Sequence, residues 1–312
     1  MAVTDGALAT VVIPTWNRSR MVAEAVASVV DQSYRNWELI VVDDGSTDDT
    51  IRRLESLAIP RLKIIQCAHI GHIGRLRNLG AQAGKGEFIA FLDSDDLWCP
   101  AKLERQISAL SRSGIGWSYT EYALVSEAGV RIPLRAGKAP AISGHIIRAL
   151  LMEKTGIPCD TLVVRRPLFD AIGGFCEDPR NPFRDDAEIV LRLARHSEVI
   201  AIPETLVLVR EHTGRMTCDI AVPNEHSAVV YELFLQHERD ADLRALAQRG
   251  WARCLAAAGA DRFSMGDYEI SLSLFWNALI KGGFTGDWIF AVARGARNRL
   301  LRTGSGRITP TA

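Results

Sequence analysis

The stretch EFIAFLDSDD, residues 87–96, places a run of apolar residues directly before a polar segment that contains three aspartates. A short, continuous apolar run of this kind is typical of a strand buried on both faces of a parallel sheet. Similar runs precede it at 10–14, 37–43 and 61–65. Helical patterns occupy 21–30, 48–57, 75–84 and 101–110. This alternation predicts repeated βαβ units with right-handed crossovers, and therefore a Rossmann-like half domain.

The pattern changes after residue 112. Mixed elements follow, with strands predicted at 117–125 and 161–165 and a helix at 186–196. After residue 222 the pattern is helical to about residue 301. We therefore predict an α/β fold with a mostly parallel sheet flanked by helices. The predicted domains are 1–220, with halves 1–112 and 113–220, and a helical C-terminal extension at 221–312.

Composition excludes several classes of protein. The 312 residues contain 37 Lys plus Arg and 37 Asp plus Glu, so the formal net charge is zero. Nucleic-acid binding depends on an excess of basic residues, so we expect no nucleic-acid partner. The six cysteines show no metal-ligand spacing, and the start of the chain lacks a basic, signal-like region. With no long uncharged apolar run either, we expect a cytoplasmic protein.

Acidic residues cluster at three strand or loop ends, namely 43–48, 93–96 and 185–186. Ligands of open parallel sheets bind at the carboxyl ends of the strands, so the first two clusters are expected at one rim. The three acids at 93–96 repel one another, and a hard divalent ion would remove that conflict. A turn is the alternative explanation for this segment. At Asp43 and Asp44 the alternatives are helix capping and acceptance of hydrogen bonds from a base and ribose.

The order and spacing of these motifs resemble the family 2 glycosyltransferases, which have the GT-A fold and use nucleotide sugars. The resemblance runs from Val11 to about His212. The matching motifs are VIPTWNR at 12–18, LIVVDDGSTD at 39–48, RNLG at 77–80, AGKGE at 83–87, FLDSDD at 91–96, IGGF at 172–175, DD at 185–186, LRLA at 191–194, and Arg210 with His212.

The resemblance implies roles for individual residues. The nucleotide-sugar pocket would be lined by Pro14, Asn17, Asp43, Asp44, Arg77, Asp93 and Ser94. The Asp-x-Asp pair would bind Mn²⁺ or Mg²⁺, with Asp95 as the more direct ligand, Asp93 beside it and His212 near the metal or diphosphate. Asp186 would be the general base, and the dipole of its helix favours the ionised carboxylate that a base needs.

The implied activity is an inverting, metal-dependent transfer of a sugar from a nucleoside diphosphate, expected to be UDP. The acceptor would be a hydroxyl of a saccharide or lipid-linked saccharide in cell-surface or exopolysaccharide biosynthesis. The Gln-x-x-Arg-Trp motif of processive synthases is absent. Two other functions stay open at this point, a nucleotidyltransferase and a non-catalytic scaffold that binds nucleotide sugars. The first is disfavoured because the loop at 14–18 has no glycine, and the second because a candidate base is present.

The end of the chain is basic. Residues 281–312 contain six basic residues and one acid, together with the aromatic segment WIF at 288–290. A helix of this composition is suited to peripheral contact with the inner face of the plasma membrane. A solvated basic face on a helix packed against the catalytic domain is the alternative.

Overall fold

A computed structural model describes residues 6–127, 129–132, 141–213 and 223–282 of the chain. The chain forms two compact units, 1–215 and 216–312. The strands are β1 (Ala9–Thr15), β2 (Trp37–Asp43), β3 (Leu62–Gln66), β4 (Phe88–Phe91), β5 (Leu97–Trp98), β6 (Trp117–Ser126), β7 (Arg131–Ile132), β8 (Val163–Arg165) and β9 (Val199–Glu211). The helices of the first unit are α1 (Ser19–Val30), α2 (Thr50–Ser56), α3 (Ile73–Ala83), α4 (Lys102–Ser113), α5 (Ile147–Leu151), α6 (Arg166–Ala171) and α7 (Asp185–His196).

The described strands form one mixed sheet in the order β3-β2-β1-β4-β8-β6-β9-β5, with β7 paired to β6. The first four neighbours run parallel, which is the predicted Rossmann-like half. β8 is antiparallel to both β4 and β6 and joins this half to the rest of the sheet. Since β1, β2 and β4 are parallel neighbours, their carboxyl ends lie at one rim, together with the loops that follow them.

Successive side chains along a strand point to opposite faces of the sheet, and a hydrophobic core lies on each face. In β1, Val11 and Ile13 pack on the face covered by α1 and α4, whereas Val12 packs on the face covered by α3 and α7. Both sets are buried, so the central strands are continuously apolar. The sheet is therefore the middle layer of an α/β/α arrangement, and it fixes the strand ends that bear the acidic residues.

Helix α3 approaches the sheet closely because of a glycine. A Cβ atom added at Gly80 would lie 2.3 Å from Cγ1 of Val12 in β1, well inside van der Waals contact. A larger residue would force the helix and strand apart. This close approach places Arg77, one turn earlier on α3, in the interior beside the end of β4.

The sequence analysis missed β9, a 13-residue strand. Its sequence, VIAIPETLVLVRE, contains Pro203, which argues against a central strand. The pairing with β6 is irregular at this point, because Thr120 pairs with Ile202 and Glu121 with Thr205. The proline therefore lies in a bulge, where no ladder hydrogen bond is needed. This strand leads to His212 beside the rim.

The described part of the second unit contains α8 (Pro223–His237), α9 (Ala241–Met265) and α10 (Tyr268–Gly282). Helices α9 and α10 pack tightly at Gly259, whose carbonyl accepts a 2.7 Å hydrogen bond from Oγ of Ser271 and whose Cα faces the ring of Phe275. The C-terminal helical extension is thus present. The remainder of the predicted helical tail, 283–301, and the basic segment beyond Lys281 lie outside the described residues. Among the described helices, none combines the length and hydropathy needed to cross a membrane.

Candidate active site

The loops that follow β1 and β2 are tied together by Asn17. Its backbone has a φ of 50°, a left-handed conformation that asparagine tolerates well. The side-chain oxygen accepts a 2.7 Å hydrogen bond from the backbone of Thr47, and the backbone N–H of Asn17 donates to Oγ of Ser46 at 2.8 Å. Asn17 thus shapes the rim beside Pro14, which lies within β1.

Asp44 holds the segment that leads to α3. Its carboxylate accepts backbone hydrogen bonds from Ile70 at 2.6 Å and Gly71 at 2.9 Å, and Nδ1 of His69 lies 3.1 Å away. The Asp44 side chain is buried. These contacts fix the loop 69–71 against the end of β2. The neighbouring His72 caps the start of α3, since its Nδ1 accepts a hydrogen bond from the backbone of Arg75.

Within the described residues, two buried polar oxygens at this rim have no hydrogen-bond partner. One is Oδ1 of Asp43, whose other oxygen accepts a 3.0 Å bond from the backbone of Ser46. The other is Oγ1 of Thr15, which pairs in register with Asp43 at the ends of β1 and β2. Unpaired buried oxygens carry a desolvation penalty that a bound hydrogen-bond donor would remove.

An aromatic pair lies at the same rim and was not predicted from the sequence. The rings of Trp16 and His69 stack with centroids 4.8 Å apart, and Trp16 is 49% exposed. The sequence analysis included Trp16 in a motif without giving it a role. An exposed indole beside a row of hydrogen-bonding groups can stack on a flat heterocycle.

The Asp-x-Asp segment is held by residues that are distant in sequence. The backbone N–H of Asp93 donates to Oδ1 of Asp160 at 2.5 Å, and the backbone N–H of Arg210 donates to Oδ1 of Asp96 at 2.8 Å. Ser94 between the two motif aspartates is buried. Asp160 was not predicted as a site residue. It comes from the turn at Cys159–Thr161, and nothing in its local sequence marks it.

Among the described residues, Asp93, Asp96 and Asp160 form a cluster that could hold a cation, with ligand oxygens within 4.8 Å of one another. Burial and the neighbouring Asp93 raise the pKa of Asp160 to about 7. Burial, followed by the charge of Asp160, raises the pKa of Asp96 well above its usual range. Without a cation this interior therefore favours protonated carboxyl groups.

Arg77 connects the Asp-x-Asp motif to the helix start that bears the predicted base. Its guanidinium forms ion pairs with Asp93 and with Asp185, and it lies 5.4 Å from the ring centroid of Phe175. The side chain is almost completely buried. The two carboxylates keep the pKa of Arg77 above its ordinary value although burial opposes this. Arg77, which the sequence analysis placed in the nucleotide pocket, therefore lies in the interior and bridges Asp93 and Asp185.

Asp186 stands in the first turn of α7, next to Asp185. It is half-buried, and one carboxylate oxygen accepts a hydrogen bond from the backbone of Ala187 at 2.7 Å. Burial and the charge of Asp185 raise the pKa of Asp186 to about 6. A carboxylate with this pKa is mostly ionised at neutral pH and accepts a proton more readily than an ordinary aspartate.

Asp95 and His212, two of the predicted site residues, meet at the rim. Nε2 of His212 lies 3.0 Å from Oδ2 of Asp95. The same oxygen pairs with the guanidinium of Arg18, whose Nη1 lies 3.3 Å from Nε2 of His212. Asp93 and Asp95 offer carboxylate oxygens, the kind of ligand that Mn²⁺ and Mg²⁺ prefer, and His212 lies beside Asp95.

A family model described as "Glycosyl transferase family 2" matches residues 10–173. The match spans more than half of the 312 residues, so the chain belongs to glycosyltransferase family 2. The family assignment predicted from the motifs is confirmed.

Two relatives from Escherichia coli indicate the kind of protein that this chain is similar to. The UDP-Glc:alpha-D-GlcNAc-diphosphoundecaprenol beta-1,3-glucosyltransferase WfgD is 32% identical over 166 residues, which cover 53% of this chain and 63% of that protein. The enzyme of the same description named WfaP is 33% identical over 115 residues, covering 37% of this chain and 46% of that protein. The chain thus spans less than two thirds of the length of these relatives.

Solved structures confirm the fold. Residues 1–349 of TarS from S. aureus, in complex with UDP-GlcNAc, align with a TM-score of 0.69 at 19% identity, covering 95% of this chain and 92% of that one. The mannosyltransferase PcManGT from Pyrobaculum calidifontis, in complex with GDP-Man and Mn²⁺, aligns with a TM-score of 0.58 at 15% identity, covering 96% of this chain and 88% of that one. The fold is GT-A, as the sequence predicted.

Proposed function

We propose that this protein transfers a sugar from a nucleoside diphosphate, with UDP as the nucleotide, to a hydroxyl of a saccharide or lipid-linked saccharide. The reaction is a single displacement that inverts the anomeric carbon and depends on Mn²⁺ or Mg²⁺. Its setting is the biosynthesis of a cell-surface polysaccharide. UDP and the lipid-linked acceptor are supported by the descriptions of WfgD and WfaP, and UDP also by the UDP-GlcNAc complex of TarS.

The observation that carries the proposal is the position of Arg77 between Asp93 and Asp185. One buried cation thereby links the Asp-x-Asp motif to the start of the helix that bears Asp186. The group that activates the donor and the group that removes the acceptor proton must both reach the reacting sugar. The two ion pairs of Arg77 keep the Asp-x-Asp motif and the start of α7 at a fixed distance from each other.

The nucleotide would bind across the ends of β1 and β2. The unpaired oxygens of Asp43 and Thr15 can accept hydrogen bonds from a base or ribose, and Trp16 offers a stacking surface. Asn17 and Asp44 shape the surrounding loops through backbone hydrogen bonds. The other proposed contacts with the nucleotide sugar are those of Pro14 and Ser94.

The metal would be held by Asp95 and Asp93, with His212 beside Asp95. Asp93 and Asp95 are the more accessible aspartates, because Asp96 and Asp160 are buried and accept backbone hydrogen bonds. A divalent ion at this position would stabilise the negative charge that grows on the leaving diphosphate.

Asp186 would remove the proton from the acceptor hydroxyl as that oxygen attacks. The raised pKa of about 6 suits this task, since the group is ionised at neutral pH and still basic enough to take a proton. Arg77 and Asp185 are positioning residues in this scheme, because they act through Asp93 and the start of α7.

Replacing the base tests the proposed reaction. Asp186→Asn should lower kcat by about 10²–10⁴-fold, the usual contribution of a general base, while UDP binding measured by calorimetry stays unchanged. Asp170→Asn, which alters an exposed acid on α6, is the matched control and should keep full activity. A rate for Asp186→Asn close to that of the control would exclude Asp186 as the base. Transfer activity of the unmodified protein that stays undiminished after a chelator removes divalent metal would exclude the metal-assisted mechanism.

We further propose that the second unit contacts an anionic membrane surface. Leu272, Trp276 and Ile280 follow one another at four-residue spacing on α10, so they lie on one face, and they are 69%, 63% and 63% exposed. The sequence that continues from Lys281 is rich in arginine. An apolar face next to positive charge is the combination that binds the interface of anionic lipids.

Co-sedimentation with vesicles tests this contact. The full chain should bind vesicles of phosphatidylglycerol and phosphatidylethanolamine more strongly than phosphatidylcholine vesicles. Changing Leu272, Trp276 and Ile280 together to serine should remove most of the binding. Val130→Ser alters an exposed apolar residue of the first unit and should have no effect. Equal sedimentation of the triple variant and the parent would refute the contact. A triple variant that changed the oligomeric state of the protein and left vesicle binding intact would refute it as well.

A further inference from the structure

Arg18 lies where the proposed metal would bind. It immediately precedes α1, and its Nη1 pairs with Oδ2 of Asp95 and lies 3.3 Å from Nε2 of His212. The same oxygen of Asp95 lies 3.0 Å from Nε2 of His212. The side chains of Arg18, Asp95 and His212 are 18%, 15% and 5% exposed, so water screens this contact only in part.

A guanidinium and a divalent ion cannot use this carboxylate oxygen together. Two positive charges a few ångströms apart repel each other strongly outside bulk water, and arginine cannot lose its proton to relieve the repulsion. A metal that binds Oδ2 of Asp95 must therefore displace the side chain of Arg18. The sequence motif contains Arg18, but only the fold shows that it faces Asp95.

The backbone of Arg18 is anchored at the rim. The backbone N–H donates to Oγ1 of Thr50 at 3.1 Å, and the preceding Asn17 is tied to Ser46 and Thr47. These anchors place Arg18 between the proposed nucleotide pocket and the Asp-x-Asp motif. A displaced guanidinium would thus still reach a diphosphate held between them, and its planar fork matches phosphate oxygens.

We infer that Arg18 is a displaceable counter-ion, which pairs with Asp95 in the absence of donor and moves to the donor diphosphate when a divalent ion takes Asp95. This inference rests on the proposed function and extends it with a residue that couples metal binding to donor binding. Arg18 competes with the divalent ion for Asp95, and it then adds to the affinity for the metal-bound nucleoside diphosphate.

The inference predicts changes of opposite sign in two binding measurements. Titration with Mn²⁺ alone, followed by electron paramagnetic resonance, should show about tenfold tighter binding in Arg18→Ala, since one charge-assisted hydrogen bond no longer competes. Titration of the Mn²⁺-saturated protein with UDP should show about tenfold weaker binding in the same variant. Arg18→Gln, which keeps most of the length of the side chain, should behave alike and serves if the alanine variant is unstable.

Arg20→Ala is the matched control, because it removes one positive charge two residues away. Within the described part of the chain, Arg20 forms ion pairs only with the exposed Glu24 and Glu127. It should leave both affinities within about twofold of the parent. An unchanged Mn²⁺ affinity in Arg18→Ala, or a change equal to that in Arg20→Ala, would overturn the inference. Asp95→Asn separates the two proposals, since Mn²⁺ binding that survives this change would refute the metal site itself.

Discussion

Asp44 and Asp95 both follow strands of the same parallel half-sheet, yet different kinds of group hold their carboxylates. Asp44 accepts hydrogen bonds from the backbone of Ile70 and Gly71. Asp95 instead faces the side chains of Arg18 and His212. Backbone donors cannot leave without a change in the whole loop, whereas a side chain can rotate away. Asp44 is therefore held by the loop itself, and in the proposed scheme Asp95 is the carboxylate that exchanges one cation for another.

Arg77→Ala should have the largest effect, because it leaves Asp93 and Asp185 without their buried cation. We expect a loss of about 3–5 kcal/mol in the free energy of unfolding, measured by urea denaturation. Arg75→Ala on the same helix removes only an exposed contact with Glu177 and should cost less than about 1 kcal/mol. Similar losses in both variants would show that the bridge does not stabilise this side of the site.

Asp44→Ala should destabilise the protein by about 1–3 kcal/mol, because two backbone N–H groups lose their acceptor. If Asp44 is a fixed support of the nucleotide rim, UDP affinity falls in this variant while Mn²⁺ affinity in the absence of nucleotide does not. Calorimetry with each ligand separates the two effects. An equal fall in both affinities would contradict the distinction between Asp44 and Asp95.

The pH dependence of transfer should give a smaller effect. Because Asp186 has a pKa of about 6 and must be ionised, kcat/KM should fall about tenfold for each pH unit below that value. Asp185→Asn removes the neighbouring charge that raises this pKa, so the acid limb should move to lower pH. The nearby Arg184 and Arg77 act in the other direction. An acid limb that stays in place would exclude Asp185 as a cause of the shift.

The same pKa makes a prediction about stability. The folded-state pKa lies above the ordinary value of 3.8, so folding favours the protonated form. This contribution is fully present below about pH 4 and is lost as the pH rises through about 6. Asp186→Asn should therefore raise the Tm more at pH 8 than at pH 4, by a few degrees at most. A lower Tm at pH 8 would contradict the raised pKa.

Much of the parallel half-sheet could be predicted from the sequence. The strand Trp37–Asp43 has the predicted bounds, and the other three strands of this half differ by only one or two residues at their ends. Continuous apolar runs between amphipathic helices are local patterns, so they can be found without the fold. β9 could not be predicted, because Pro203 is compatible with this strand only where β9 bulges away from its pairing with β6.

The candidate site divides in the same way. The acidic motifs and Asp186 could be found because each lies beside a recognisable strand or helix, and their roles stay predictions. Asp160 could not, since it reaches Asp93 from 67 residues away and no local pattern distinguishes it from other aspartates. Trp16 lies within a predicted motif, but its stacking on His69 depends on where a separate loop ends.

By itself, the sequence determined the order of strands and helices and the acidic ends of two parallel strands, because hydrophobic periodicity and strand-end residues are local properties. Only the tertiary structure decided which cation faces which carboxylate. Asp95 meets Arg18 across 77 residues and His212 across 117. Charge pairing over such separations depends on strand order and loop paths, which the packing of the whole sheet sets.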